Sequence, residues 1–91
     1  APEHTCVIVA NEGGEEFLII LSGCDLEIGA TIAEKLRVNI EASDNSICPI
    51  TASIGVAAYN GGNYHSAIEC ADKALYRAKT EGRNRVVVYE D

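Results

Sequence analysis

The chain has 91 residues, 47% of them apolar, and carries a formal net charge of −7. That length holds at most one domain, that apolar fraction excludes a disordered chain, and the acidic balance disfavours non-specific binding to nucleic acid or anionic membrane. The longest apolar run, "FLIIL", is too short to span a bilayer, and "APEHT" lacks the basic start and apolar run of a signal peptide, so a cytoplasmic location is expected.

"TCVIVAN" (5–11) is β-branched and apolar and predicts a strand. "EGGE" (12–15) predicts a tight turn, because adjacent glycines accept positive φ at little steric cost. "EFLIILS" (16–22) predicts a second strand, and its unbroken apolar run predicts burial on both faces. Together these segments form a hairpin with Gly13-Gly14 at its tip. In "DLEIGATIAEKLRVNIEAS" the residues Ile28, Ile32, Leu36 and Ile40 recur every four positions beside Ala33, so an amphipathic helix follows. Gly29 is a mild blemish in it. "SDNSICP" reads as a loop ending at Pro49.

"ITASIGVAAY" (50–59) alternates as a strand. One row holds Ile50, Ala52, Ile54, Val56 and Ala58. The opposite row, Thr51, Ser53, Gly55 and Ala57, is small, so something must pack closely against it. "NGGN" turns the chain. "YHSAIECADKALYRAKTEG" sets Ala67, Ile68, Ala71, Ala74, Leu75 and Ala78 on one helical face, with Gly82 placed to end the helix and Lys79 complementing its dipole. "RVVVYE" closes as a strand. The order β-β-α-β-α-β indicates an α/β sandwich with a mainly antiparallel sheet and helices packed on it.

Charge is unevenly distributed. Five of the seven basic residues (Lys73, Arg77, Lys79, Arg83, Arg85) fall in one 13-residue window, while the first sixteen residues hold Glu3, Glu12, Glu15 and Glu16 and no Lys or Arg. A metal–phosphate group could bridge the two regions; scattered charges on a solvated helix would explain the basic one equally well. The four cysteines show no CxxC spacing, so a zinc site is not expected and free thiols are. Neighbouring residues of an extended chain point to opposite faces, so Glu15 and Glu16 should have separate jobs. A carboxylate at an exposed glycine tip suits Mg²⁺, which takes one or two protein carboxylates together with substrate phosphates. A plain solvated hairpin is the competing explanation for "GGEE" taken by itself.

"GGEEF" at 13–17 resembles the signature of the GGDEF-domain diguanylate cyclases. So do "FLIIL" after it, "IAEKLRVNIEAS", the "T-x-S-x-G-x-A" pattern of "ITASIGVAAY", and "ADKALYRAKTEGRNRVVVY". The resemblance runs from Thr5 to Tyr89. It implies condensation of two GTP into cyclic di-GMP with release of pyrophosphate, using Mg²⁺ or Mn²⁺, across a homodimer of two such domains. It implies that Glu15 is a metal ligand that also helps activate the ribose 3′-hydroxyl, and that Glu16 is a second catalytic acid. It also implies that Gly13 and Gly14 make room for the nucleotide and that Lys79 and Arg83 hold the terminal phosphates. Arg77, Lys73 and Arg85 are expected to be surface charges, Tyr76 to be packing, and His4 and His65 to have no role.

Two departures from the family stand out. The family's upstream strand "DxDxFK", interior to its sheet and source of another metal-binding aspartate, has no counterpart here, nor do the helices that read guanine. The chain is thus expected to be a partial domain, roughly the C-terminal half, and inactive alone. It is further expected to close into an altered sheet, exchange elements in a dimer, or aggregate. The family's "RxxD" product-inhibition positions hold His4 and Val7, so feedback through that site is not expected. The alternative to an enzyme segment is a non-catalytic GGDEF-like module for nucleotide binding or protein contacts.

Overall fold

The computed structural model describes residues 4–43 and 50–90. Six elements follow one another: β1 (Thr5–Glu12), β2 (Glu15–Ser22), α1 (Leu26–Ala42), β3 (Ala52–Tyr59), α2 (Tyr64–Thr80) and β4 (Val86–Val88). The order matches the expectation from sequence, with ends shifted by no more than two residues. Most of the predicted loop before β3 lies outside the described residues.

The four strands form one sheet in the order β2-β1-β3-β4. β1 runs antiparallel to β2 on one side and to β3 on the other, along all eight of its residues, and β4 lies parallel to β3. β1 and β3 therefore each have a partner on both edges and a helix on both faces. On one face Val7, Val9 and Ala57 meet Ala67, Ala71 and Leu75 of α2. On the other, Ile8, Ala10, Ile54 and Val56 meet Ala33, with Leu36 and Ile40 of α1 packed alongside.

The small row on β3 has its explanation here. A Cβ on Gly55 would lie 2.1 Å from the Ala71 carbonyl oxygen and 2.3 Å from the Leu75 nitrogen. Glycine lets the backbone of α2 descend onto the strand, and the alanines of α2 complete the close approach. Gly29, a blemish by propensity, acts similarly for α1: its missing Cβ would stand 2.7 Å from Cys6 Sγ.

Three expectations from sequence are corrected. β2 is an edge strand, not one buried on both faces: Phe17, Leu18 and Ile20 are 46%, 52% and 41% exposed. Both helices sit chiefly over β1 and β3, so the run "FLIIL" has cover only where Ile19 and Leu21 pack beside the α1 core. On α1, Ile28 and Ile32 are half-exposed. The buried side of that helix runs through Gly29 and Ala33, one residue, or about 100°, further round. Tyr76 is not packing but is 68% exposed, because the buried face of α2 passes through Leu75 and Ala78.

Both helices start on side-chain caps. Asp25 Oδ1 accepts from the Ile28 amide at 2.9 Å and Asn63 Oδ1 from the Ser66 amide at 3.0 Å, satisfying amides that have no partner within the helix. Among the described residues Cys6, Cys24 and Cys70 are free thiols. No described helix is long and apolar enough to cross a membrane.

Candidate nucleotide-phosphate site

The hairpin turn is two residues long. Gly13 and Gly14 take φ of +58° and +91°, the left-handed values that a tight turn matching strand twist requires at both positions. Glu12 and Glu15 face each other across it. Alternation then fixes the remaining side chains. Glu15 lies on the α1 side with Glu12, and Glu16 lies on the α2 side, opposite Asn11. The two signature acids thus have different surroundings, as extended geometry demands.

α2 ends where the sequence predicts. The Arg83 amide donates to the Ala78 carbonyl at 2.8 Å and the Glu81 amide to that of Arg77 at 2.9 Å, with Gly82 at φ +131°. The six-residue closure is a Schellman-type ending. The chain then stays left-handed through two residues that are not glycine: Arg83 at φ +63° and Asn84 at φ +50°. Left-handed backbone is uncommon outside glycine and rarer still for a long side chain.

This turn brings the basic end of α2 to the hairpin. Lys79 Nζ is 3.6 Å from Glu16 Oε2, with the lysine side chain 28% exposed. Both line a groove of about 600 Å³ along α2 that also includes Asp72 and Tyr76. A second groove, of about 260 Å³, is lined by Gly13, Gly14, Asn11, Thr51, Ser53 and Arg83. Among the described residues the Arg83 guanidinium has no hydrogen-bond or ion-pair partner. Arg77, by contrast, pairs with Glu81 at 3.0 Å, and Arg85 Nε donates to the Arg83 carbonyl at 3.2 Å. His65 lies 3.4 Å from Glu69 on the surface of α2.

The helix end by itself would repel an anion, since its free carbonyls carry partial negative charge. Lys79 and Arg83 reverse that sign locally, and glycine at the tip leaves the backbone approachable. The hairpin acids are the opposing influence. Glu12 and Glu15 are like charges directly across a strand pair, an arrangement that costs stability unless a cation lies between them. Their oxygens are the hard donors Mg²⁺ prefers. Among the described residues no group of three or more His, Cys, Asp or Glu side chains gathers to hold a metal ion. The donor set therefore fits a metal delivered with phosphates rather than one caged by protein.

Two features escaped the sequence reading. Asn11 and Ser53 extend Glu16 into a polar row across the open end of the sheet, under the end of α2. Asn84 is fixed from three sides, as described below. The strand pattern around "TASIG" gave only a small-residue row, with no sign that its serine would hold another loop.

A model of the diguanylate cyclase GGDEF domain matches residues 6–85. The chain belongs to the GGDEF domain family. It is 39% identical over 85 residues to diguanylate cyclase A of Treponema denticola, covering 87% of this chain and 23% of that protein. It is 41% identical over 90 residues to diguanylate cyclase DgcP of Pseudomonas aeruginosa, covering 88% and 13%. The chain thus spans less than a quarter of the length of these relatives. Among solved structures, the GGDEF domain of DgcB from Caulobacter crescentus, in complex with c-di-GMP, superposes with a TM-score of 0.87 at 26% identity, covering 98% of this chain and 80% of that one. The active GGEEF domain of a Vibrio cholerae diguanylate cyclase shares the fold, with a TM-score of 0.81 at 21% identity, covering 98% and 84%.

Proposed function

We propose that this chain is the signature-bearing part of a diguanylate cyclase domain, acting on GTP with Mg²⁺ or Mn²⁺ in a cytoplasmic signalling enzyme. The observation that carries the reading is one juxtaposition. The Gly13-Gly14 tip shares a groove with Arg83, whose guanidinium has no partner among the described residues, while Glu16 and Lys79 pair beside it. In this reading Arg83 grips a terminal phosphate bidentately and Lys79 supplies a second positive charge. The two glycines let the nucleotide backbone pass close to the chain.

Glu15, with Glu12 opposite, would hold the metal. A bound divalent ion would neutralise charge developing on the α-phosphate and lower the pKa of the attacking 3′-hydroxyl. Glu16 holds Lys79 against the sheet end and is the second acid of the site. One domain presents its GTP to a second domain across a two-fold axis, and the product is cyclic di-GMP. Val7, at a position of the product-inhibition motif, lies fully buried in the α2 core, which supports the absence of feedback through that motif.

The sparse metal-donor set favours a second reading for the isolated chain, a module that binds nucleotide without turning it over. Two measurements decide. Titration of the 91-residue chain with Mg²⁺·GTP, followed by NMR, should shift the amides of Gly13, Gly14, Lys79 and Arg83, and Arg83→Ala should suppress those shifts. Absence of any shift at these positions refutes the site. A turnover assay on the same chain should give no cyclic di-GMP; product formation would show that the chain suffices.

A further inference from the structure

We infer that Arg37 of α1 and Asn84 are positioning residues that hold Arg83 toward the hairpin groove, an inference that rests on the phosphate-binding reading of that groove. Asn84 follows Arg83 and is held by two elements, β3 and α1. Its amide donates to Ser53 Oγ on β3 at 3.3 Å. Its side-chain oxygen accepts from Arg37 Nη1 at 2.8 Å, and its side-chain nitrogen donates to Glu41 Oε2 at 2.8 Å. Arg37 is itself fixed: Nη2 donates to Glu34 Oε2 at 2.6 Å, Nε to Glu34 Oε1 at 2.9 Å, and Nη1 also reaches Glu41 Oε1 at 3.3 Å. Its side chain is only 16% exposed.

This is more restraint than a surface loop needs. Two consecutive non-glycine residues in left-handed backbone cost free energy and persist only where surroundings over-determine them. Here the over-determination comes from a helix on the far face of the sheet. Of the five guanidinium N–H groups of Arg37, two bond Glu34, one Glu41 and one Asn84, so the two carboxylates set the direction of the bond to Asn84. The φ of Asn84 fixes where the chain leaves Arg83. The Arg83 side chain therefore starts from a set position beside Gly13 and Gly14, at reduced entropic cost on binding an anion. Arg85, through its bond to the Arg83 carbonyl, steadies the same turn without reaching α1.

The test uses three variants of the 91-residue chain. Arg37→Ala removes the clamp. Asn84→Gly keeps a residue content with left-handed φ but deletes both side-chain bonds. Lys35→Ala is a control that removes one exposed positive charge from α1 and none of these bonds. Nitrogen-15 relaxation at the Arg83 amide should report a rigid turn in the parent chain and a mobile one in Arg37→Ala and Asn84→Gly. Affinity for Mg²⁺·GTP should fall about tenfold in these two variants, with Lys35→Ala close to the parent. Equal affinity and equal Arg83 order across all four chains overturns the positioning role while leaving the phosphate site intact. A loss in Lys35→Ala as large as in Arg37→Ala overturns it too, since general charge would then be the cause. If the parent chain binds no Mg²⁺·GTP, the phosphate reading fails and this inference with it.

Discussion

Lys79 and Glu16 come from opposite ends of the chain and meet at 3.6 Å, which joins the first strand pair to the last helix by charge. The pair is exposed enough for water to screen it, so its contribution to stability is about 1 kcal/mol or less. Glu16→Gln and Lys79→Ala should each shift the urea midpoint only slightly, and a double-mutant cycle should give a coupling of the same small size. Lys79→Ala should nevertheless weaken Mg²⁺·GTP binding, whereas Glu16→Gln should free the lysine and leave binding intact or improved. A coupling of several kcal/mol would mark the pair as structural instead.

Gly55→Ala should be among the most damaging small substitutions. The added methyl meets backbone atoms of Ala71 and Leu75, which cannot rotate away, so α2 must lift from the sheet. Overpacking of this kind costs about 3 kcal/mol or more, readable as a lower urea midpoint. Gly29→Ala should cost less, because its obstacle is the Cys6 side chain.

Stability should fall at both ends of the pH scale, for separate reasons. The Arg37 hydrogen bonds hold the Glu34 carboxyl below its ordinary value. That support is present above pH 4.5 and is lost as pH falls through the depressed value. At the other end, burial first, and then the neighbouring Cys24, push the Cys6 thiol up. The unfolded thiol then ionises before the folded one, so stability declines as pH rises past about 9. Cys6→Ala should flatten the alkaline limb of a denaturation-versus-pH curve, and Glu34→Gln the acid limb. With a thiol reagent at neutral pH, Cys6 should react more slowly than Cys24 or Cys70.

The edge strand makes a prediction about association. Phe17, Leu18 and Ile20 stand open on β2, beside unpaired strand hydrogen-bonding groups, and such edges recruit other chains. Light scattering should show self-association that Leu18→Lys or Ile20→Lys reduces without lowering the unfolding midpoint. A parent chain that stays monomeric at high concentration would contradict this.

Much of this architecture was legible because local chemistry and global packing agree. The double glycine could only be a turn, the small row on β3 demanded a close neighbour, and Gly82 terminates α2 as its position suggested. Charge distribution showed only an acidic region near the start and a basic one near the end; the family resemblance is what singled out Lys79, Arg83 and the hairpin tip within them. Periodicity failed where burial depends on what lies alongside. An apolar run such as "FLIIL" has the same letters at an edge as in a sheet interior. Ile28 and Ile32 keep helical spacing yet sit beside the contact, because Gly29 and Ala33 make it. The Arg37–Asn84 bond joins residues 47 apart, a distance at which no local pattern gives a signal.

The central place of β1 has a consequence for how the molecule is made. Its second edge waits for β3, whose Gly55 pairs with Val9 from far along the chain. On a ribosome, Val7, Ile8 and Val9 would emerge ahead of both helices, and the local hairpin pairing with β2 covers one edge of β1 but neither face. Nascent chains of this sequence should therefore engage a chaperone during that interval and release it only once the last helix has left the exit tunnel.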